Sequence, residues 1–221
     1  MKKLFSFVAL LFFVASPAFA LSEGDYLELD GVYTKTTFHL KENANNKLLN
    51  HKPSYSSGTN GVGLTYKSAY NLGQSNFFIA PGVFVEQNSF GSSAVYGKDQ
   101  LKLQIRNRLG AKVDFGYDIA DIVSPYLTIG YSIIKYNSRS SGFGRDDNSV
   151  VVANKAGSKA SEFFGVGARF PLKNNLSLNF EYNYQKFDTK NSIPAQSSDY
   201  IAKSSFRTRL DIFKVGLAYK F

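Results

Sequence analysis

His39 and His51 share one polar stretch with Ser54, Ser56 and Ser57, the residue types of imidazole-activated hydroxyl chemistry. Such a nucleophile needs a third, acidic partner that holds the imidazole in the right tautomer, with all three groups in hydrogen-bond reach. No spacing in this stretch supplies that partner, so these residues read as solvated loop positions and no catalytic residue is assigned. Asp146-Asp147-Asn148 lacks the spaced ligands and terminal Glu of a calcium loop. Gly91 to Lys98 departs from a phosphate loop, with five residues between its glycines and Asp99 where Ser or Thr belongs. Gly142-Phe143-Gly144 reads only as loop. The chain has no cysteine, which removes thiolate metal sites, Cys nucleophiles and disulfides together. No metal or cofactor is expected.

The elements that would carry these loops begin after an export address. Lys2 and Lys3 form a positive start, Leu4 to Ala15 an apolar run, and Ala18-Phe19-Ala20 a small-residue cleavage site. That run is shorter than the roughly 20 residues of a spanning helix, so residues 1–20 read as a cleaved signal peptide and 21–221 as the mature domain. Removing the two signal lysines leaves 24 basic against 17 acidic residues. An exported protein meets phosphorylated lipid and surface polymer, so no nucleic-acid partner is expected and the surplus charge points to anionic glycolipid.

No later apolar stretch approaches helical spanning length, which leaves strands as the only route through a membrane. Leu101, Leu103, Ile105, Leu109, Ala111, Val113 and Phe115 alternate with Lys102, Gln104, Arg106, Arg108, Gly110, Lys112 and Asp114, broken only at Asn107. A period of two puts each set on one face of a strand. Leu176, Leu178, Phe180, Tyr182 and Tyr184 repeat the pattern against Ser177, Asn179, Glu181 and Asn183, and Phe213, Val215, Leu217, Tyr219 and Phe221 close the chain in the same register. Similar segments near residues 27–34, 62–67, 77–86, 127–133 and 164–170 bring the expected number of strands to eight.

Connections near residues 71–75, 116–124 and 171–174 are short and carry turn residues, whereas 38–59, 89–98, 138–158 and 188–204 are long, polar and unpatterned. Strict alternation of short turn and long loop predicts a transmembrane eight-stranded antiparallel up-and-down β-barrel with three short periplasmic turns and four long extracellular loops. A soluble sandwich or lipocalin-like barrel would share the alternation with the faces reversed. Tyr70, Phe77, Phe115, Phe170, Tyr219 and Phe221 near the turns, with Tyr33 and Tyr184 toward the loops, fit two interfacial aromatic girdles instead.

With these features the chain resembles the small eight-stranded outer-membrane barrels, the group of the OmpX and opacity proteins and the OmpA transmembrane domain. The resemblance rests on the terminal Phe213, Val215, Leu217, Tyr219 and Phe221, and on Phe115-Gly116-Tyr117-Asp118-Ile119 leading to Ser124-Pro125-Tyr126-Leu127. It implies that the terminal stripe is the signal read by the barrel-assembly machinery. No further domain is expected after Phe221, so the peptidoglycan-tethering role of full OmpA-like proteins is not carried over. The resemblance and the pattern together lead to the expectation of a bacterial outer-membrane protein with its loops at the cell surface, and a monomer is expected.

Eight strands enclose a space that side chains can fill. The alternation turns Glu28, Asp30, Glu86, Asp114 and Glu181 inward with Lys67, Lys102, Arg106, Arg108, Lys112, Arg169, Lys214 and Lys220. Counting from the turns puts Asp30, Arg106, Arg108 and Glu181 near mid-height, and Arg106 or Arg108 is expected to pair with Glu181, Asp30 or Glu28, inward at similar depth, in a lumen charge network. A lumen so filled excludes a diffusion porin. The expected function is non-catalytic surface recognition, adhesion to a host surface or glycolipid through basic loops, with support of the envelope. The alternative is an outer-membrane enzyme or a transporter of small apolar molecules on the same barrel.

Overall fold

A computed structural model of the chain describes residues 23–42, 54–73, 75–90, 94–96, 99–119, 122–143, 150–193 and 202–221. Among these the secondary structure is strand alone: β1 (Gly24–Glu42), β2 (Ser54–Asn71), β3 (Phe77–Phe90), β4 (Ala94–Tyr96), β5 (Asp99–Tyr117), β6 (Ser124–Phe143), β7 (Val150–Pro171), β8 (Leu176–Ile193) and β9 (Ala202–Lys220). Each long strand pairs antiparallel with its neighbours in the chain, β3 pairs with β5, and β1 pairs with β9 from Tyr26↔Lys220 to Glu42↔Ser204. The ring therefore closes as eight strands. The three-residue β4 is an addition on the outer end of β5, from Ala94↔Leu101 to Tyr96↔Asp99.

The strand faces are set by which side chains tolerate which solvent. Leu29, Leu217 and Leu127 point away from the barrel and are 64%, 52% and 63% exposed, and Val62, Phe164, Val166 and Phe213 share that outward face. A soluble protein does not expose an apolar surface that encircles it. Meanwhile Glu28, Lys67, Glu86, Arg108, Asp114 and Glu181 are buried inside. The polar set is thus interior and the apolar set faces lipid, the reverse of a soluble sandwich.

At the periplasmic end the chain turns tightly. Leu172 donates its backbone N–H to Leu176 O at 2.7 Å, and Asn174 and Asn175 take φ of 59° and 62°. Two successive left-handed residues match the twist of the flanking strands, and Asn tolerates that region better than most residues. Between β2 and β3, Gly73 takes φ 67° and Leu72 N–H reaches Phe77 O at 2.8 Å. Between β5 and β6, Ile119 and Val123 bridge, and Ser124 Oγ donates to Asp118 Oδ1 at 2.5 Å.

The outer end differs from expectation. Residues 38–59, 138–158 and 188–204 were expected as unpatterned loops, yet much of each continues the ladder: His39 pairs with Ser54, Phe143 with Val150, and Ile193 with Ala202. Once strands rise above the lipid, both faces are wet, so pairing continues without any hydrophobic alternation to betray it.

A second difference lies in β5. Ile105 pairs with Tyr136 and Asn107 with Lys135, which leaves Arg106 as the extra residue of a β-bulge. Such an insertion flips every side chain beyond it to the other face. Ile105, expected outward, is 1% exposed and inside.

Candidate functional sites: the barrel interior and the outer rim

The inward residues are brought together by the ladder. Glu86 of β3 faces Arg108 of β5 as a cross-strand pair, and Glu181 of β8 faces Lys214 of β9. Glycine opposite two more of the charges leaves room for their length: Asp30 is flanked by Gly63 and Gly216, and Lys112 by Gly82 and Gly130. Bulky rings fill glycine notches in the same wall. The Phe163 ring covers Gly130 and the Tyr126 ring covers Gly167, at distances that would not admit a Cβ on either glycine.

From these positions the side chains form one continuous chain of alternating sign. Glu28 meets Lys67 at 3.1 Å, Lys67 meets Asp114 at 3.2 Å, and Asp114 meets Lys112 at 3.5 Å. Lys112 goes on to Glu181 at 2.5 Å, Glu181 to Lys214 at 3.1 Å, Lys214 to Glu86 at 2.6 Å, and Glu86 to Arg108 at 2.5 Å. Burying charge is costly unless each ion finds a partner and further hydrogen bonds. Here Tyr126 Oη donates to Glu181 at 3.1 Å, and Asn183 Nδ2 donates to it at 2.7 Å. Aromatic faces take part too: the Arg108 guanidinium lies 5.1 Å from the Phe84 ring centre and 5.3 Å from that of Phe163.

Of the residues expected in this network, Glu28, Asp30, Arg108 and Glu181 lie inside and Arg106 does not. Arg106 is exposed on the outer surface because it is the bulged residue. The expected pairings also differ. Arg108 joins Glu86, Glu28 joins Lys67, and Asp30 has no ion pair among the described residues, accepting instead from Thr65 Oγ1 at 3.4 Å. Glu86, Lys67, Lys112, Asp114 and Lys214 complete the chain. The alternation had turned all five inward, but depth counted from the turns ignores the stagger between tilted strands, and stagger decides which charges meet.

The polar chain is sandwiched between two apolar layers inside the barrel. Tyr26, Ala69, Phe78, Ala80, Tyr126 and Ala218 cluster at the periplasmic end, while Val32, Ile105, Ile134, Tyr136, Phe187, Leu210 and Ile212 cluster toward the outer end. Ile105 enters the outer cluster only because of the bulge.

Phe213, Val215, Leu217 and Tyr219 lie exposed on one outward face of β9, and Phe221, just past its end, is exposed as well. Each of the first four is a ladder partner of an outward residue on β1 or β8, as in Leu29↔Leu217 and Leu178↔Leu217. Above the apolar band the surface becomes basic: Lys35, Arg106, Lys135, Lys159, Lys186 and Arg209 are exposed, and the exposed Arg207 and Asp188 face each other at 3.4 Å.

Of the residues considered for catalysis, only Ser56 and Ser57 have described side chains. Ser56 is exposed and Ser57 half-buried, and the side chains of His39 and Ser54 lie outside those described. His51, Asp146-Asp147-Asn148, Gly91 and Lys98 also lie outside the described residues, as does the expected signal segment. No metal-binding group of three or more His, Cys, Asp or Glu occurs among the described residues.

An apolar belt around a closed ring of eight strands with a charged interior defines an integral β-barrel of the outer membrane. The chain belongs to the outer membrane protein beta-barrel domain family, whose pattern matches residues 6–221. It is 30% identical over 134 residues to the 31 kDa outer-membrane immunogenic protein of Brucella melitensis biotype 1, and equally to that of Brucella suis biovar 1. Each match covers 60% of this chain and 52% of the relative, so the chain spans about half the length of the curated relatives it matches. The crystal structure of the outer membrane protein OprG from Pseudomonas aeruginosa shares the fold, with a TM-score of 0.54, 14% identity, and coverage of 90% of this chain and 96% of that one.

Proposed function

We propose that this outer-membrane protein is a non-catalytic surface-recognition barrel: its interior is plugged, and its basic outer end binds anionic partners at the cell surface, such as acidic polysaccharide or glycolipid of a host. Adhesion and support of the envelope follow from that role. The observation that carries the reading is the concentration of exposed cations, Arg106, Lys135 and Lys159 among them, above the apolar band on β5, β6 and β7. Rigid scaffolds commonly place recognition at such ends. For the plug, support comes from the ion-pair chain held between two apolar layers. The reading also takes cleavage after Ala20, recognition of the Phe221 stripe by the barrel-assembly machinery, and a monomeric barrel.

The test replaces each outer connection by a short turn and measures binding of intact cells to host cells and to an acidic polysaccharide, over a range of salt. Barrels that fold but lose binding, with wild-type binding that weakens as salt rises, support recognition. Unchanged binding for every trimmed variant refutes it. Planar-bilayer recording of the purified protein tests the plug, and large stable conductance steps would overturn it.

A further inference from the structure

On the outward face of β8, β9 and β1 the apolar band ends at a single row. Tyr182, Phe213 and Tyr33 are successive ladder partners, with ring centres 5.0 Å and 6.3 Å apart. The next outward row is Tyr184, Asp211 and Lys35, and the row above it holds Lys186 and Arg209. Arg209 donates from Nε and Nη2 to one oxygen of Asp211 at 3.1 and 2.8 Å, and Tyr182 Oη donates to the same oxygen at 2.7 Å. The Arg209 guanidinium also lies 4.9 Å from the Tyr184 ring centre, and Lys186 Nζ lies 5.0 Å from the same centre. Two cations are thus gathered on one ring, with Lys35 beside them across the ladder.

The only carboxylate in this group is already taken. Asp211 is covered, its side chain 10% exposed, while Arg209 keeps 45% of its side chain exposed. Among the described residues neither Lys35 nor Lys186 has an ion-pair partner. Arg209, held by Asp211, directs a planar fork whose Nη1 donors are left for an acceptor, and such a fork suits phosphate. Within these two rows of β8, β9 and β1 the site therefore has three cations against one satisfied acid. It also has a defined height, since aromatic rows mark the border between hydrocarbon and headgroups. One further acid flanks the site: Glu162 of the neighbouring β7, the ladder partner of Tyr131, lies one step beyond Phe163↔Gln185 and so beside Lys186, with no ion pair to it among the described residues.

We propose that Lys35, Lys186 and Arg209 form a lateral binding site for the phosphate of a glycolipid in the outer leaflet of the protein's own membrane, with the lipid chains lying against Phe213, Val215 and Phe180. The site opens sideways, at headgroup height and directly above lipid-facing residues, so the ligand that reaches it lies in the membrane plane rather than in solution. This is a different face and a different partner from the recognition proposed for the outer end, and either can hold without the other.

The test uses the full barrel in nanodiscs, with bisphosphorylated lipid A or dephosphorylated lipid A as the added lipid, read by native mass spectrometry and by thermal unfolding. Wild type is expected to retain and be stabilised by the phosphorylated lipid alone. Lys35→Gln/Lys186→Gln/Arg209→Gln is expected to weaken that binding by about tenfold or more, since each interfacial cation contributes separately. The charge-matched Arg106→Gln/Lys135→Gln/Lys159→Gln variant is expected to bind lipid as wild type does while losing adhesion to surface polymer, which separates the two proposals. Equal retention of both lipids by wild type overturns the site, as does an equal loss in the charge-matched variant, which would mean diffuse attraction. Should the triple variant fail to fold, Lys186→Gln alone must still weaken the phosphorylated lipid selectively, and no change in it refutes the proposal.

Discussion

Glu86 and Arg108 offer the sharpest test of the interior, because the chain of ion pairs ends on them. Arg108 is fully buried between Phe84 and Phe163, and Glu86 is its carboxylate partner at 2.5 Å. Glu86→Gln leaves that guanidinium without a counter-ion, and the loss should reach about 4 kcal/mol, within the range for breaking a buried pair from one side. Arg108→Met leaves Glu86 with Lys214 at 2.6 Å, so about 3 kcal/mol is expected, toward the lower end of that range. In the double variant both charges go together, Lys214 keeps Glu181 at 3.1 Å, and Met fills the slot between the two rings with a flexible apolar chain. Its cost should be no more than about 4 kcal/mol, which is about 3 kcal/mol less than the sum of the single variants. The protein has no tryptophan, so urea unfolding of barrels refolded into vesicles is followed by far-ultraviolet circular dichroism and by the gel mobility of unboiled samples. Single costs that add to within about 0.5 kcal/mol of the double would show that the two residues do not act as a buried pair.

Three further outcomes check the wall. Leu178, whose ladder partners are Phe170 and Leu217, faces lipid, and Leu178→Arg should destabilise the barrel by about 2 to 4 kcal/mol in vesicle refolding; no effect would move that row out of the bilayer. Deleting Phe221, whose N–H reaches Asp25 O at 3.1 Å and whose ring lies 6.0 Å from that of Tyr219, should leave a protease-sensitive periplasmic chain in cell fractionation, and normal insertion would refute its role as the assembly signal. Arg106→Glu should change stability by no more than about 0.5 kcal/mol, as usual for an exposed site, whereas Arg108→Glu sets two acids face to face and should prevent folding; equal effects would place both arginines on one face and remove the bulge.

How far the sequence could be read depends on what each feature answers to. Within the lipid, a side chain has only two environments, so Leu27 and Leu29 against Glu28 and Asp30, or Phe213 to Phe221 against Lys214 and Lys220, assign the faces without ambiguity. The eight long strands and their order follow from that constraint together with the turn residues. Arg106 was misread because Asn107, the single break in an otherwise regular run, has two explanations. It can be a polar residue tolerated on the lipid face, or the mark of an inserted residue beyond which Ile105 changes sides. Alternation is regular on both sides of the break, so local pattern cannot choose; the choice is made by Ile134, Tyr136, Phe187 and Leu210, which need Ile105 to complete an apolar layer across the interior. The ion pairs were hidden for a related reason. Which acid meets which base depends on the stagger of strands that are distant in sequence, as when Lys112 of β5 reaches Glu181 of β8, and no residue's own neighbours encode that distance.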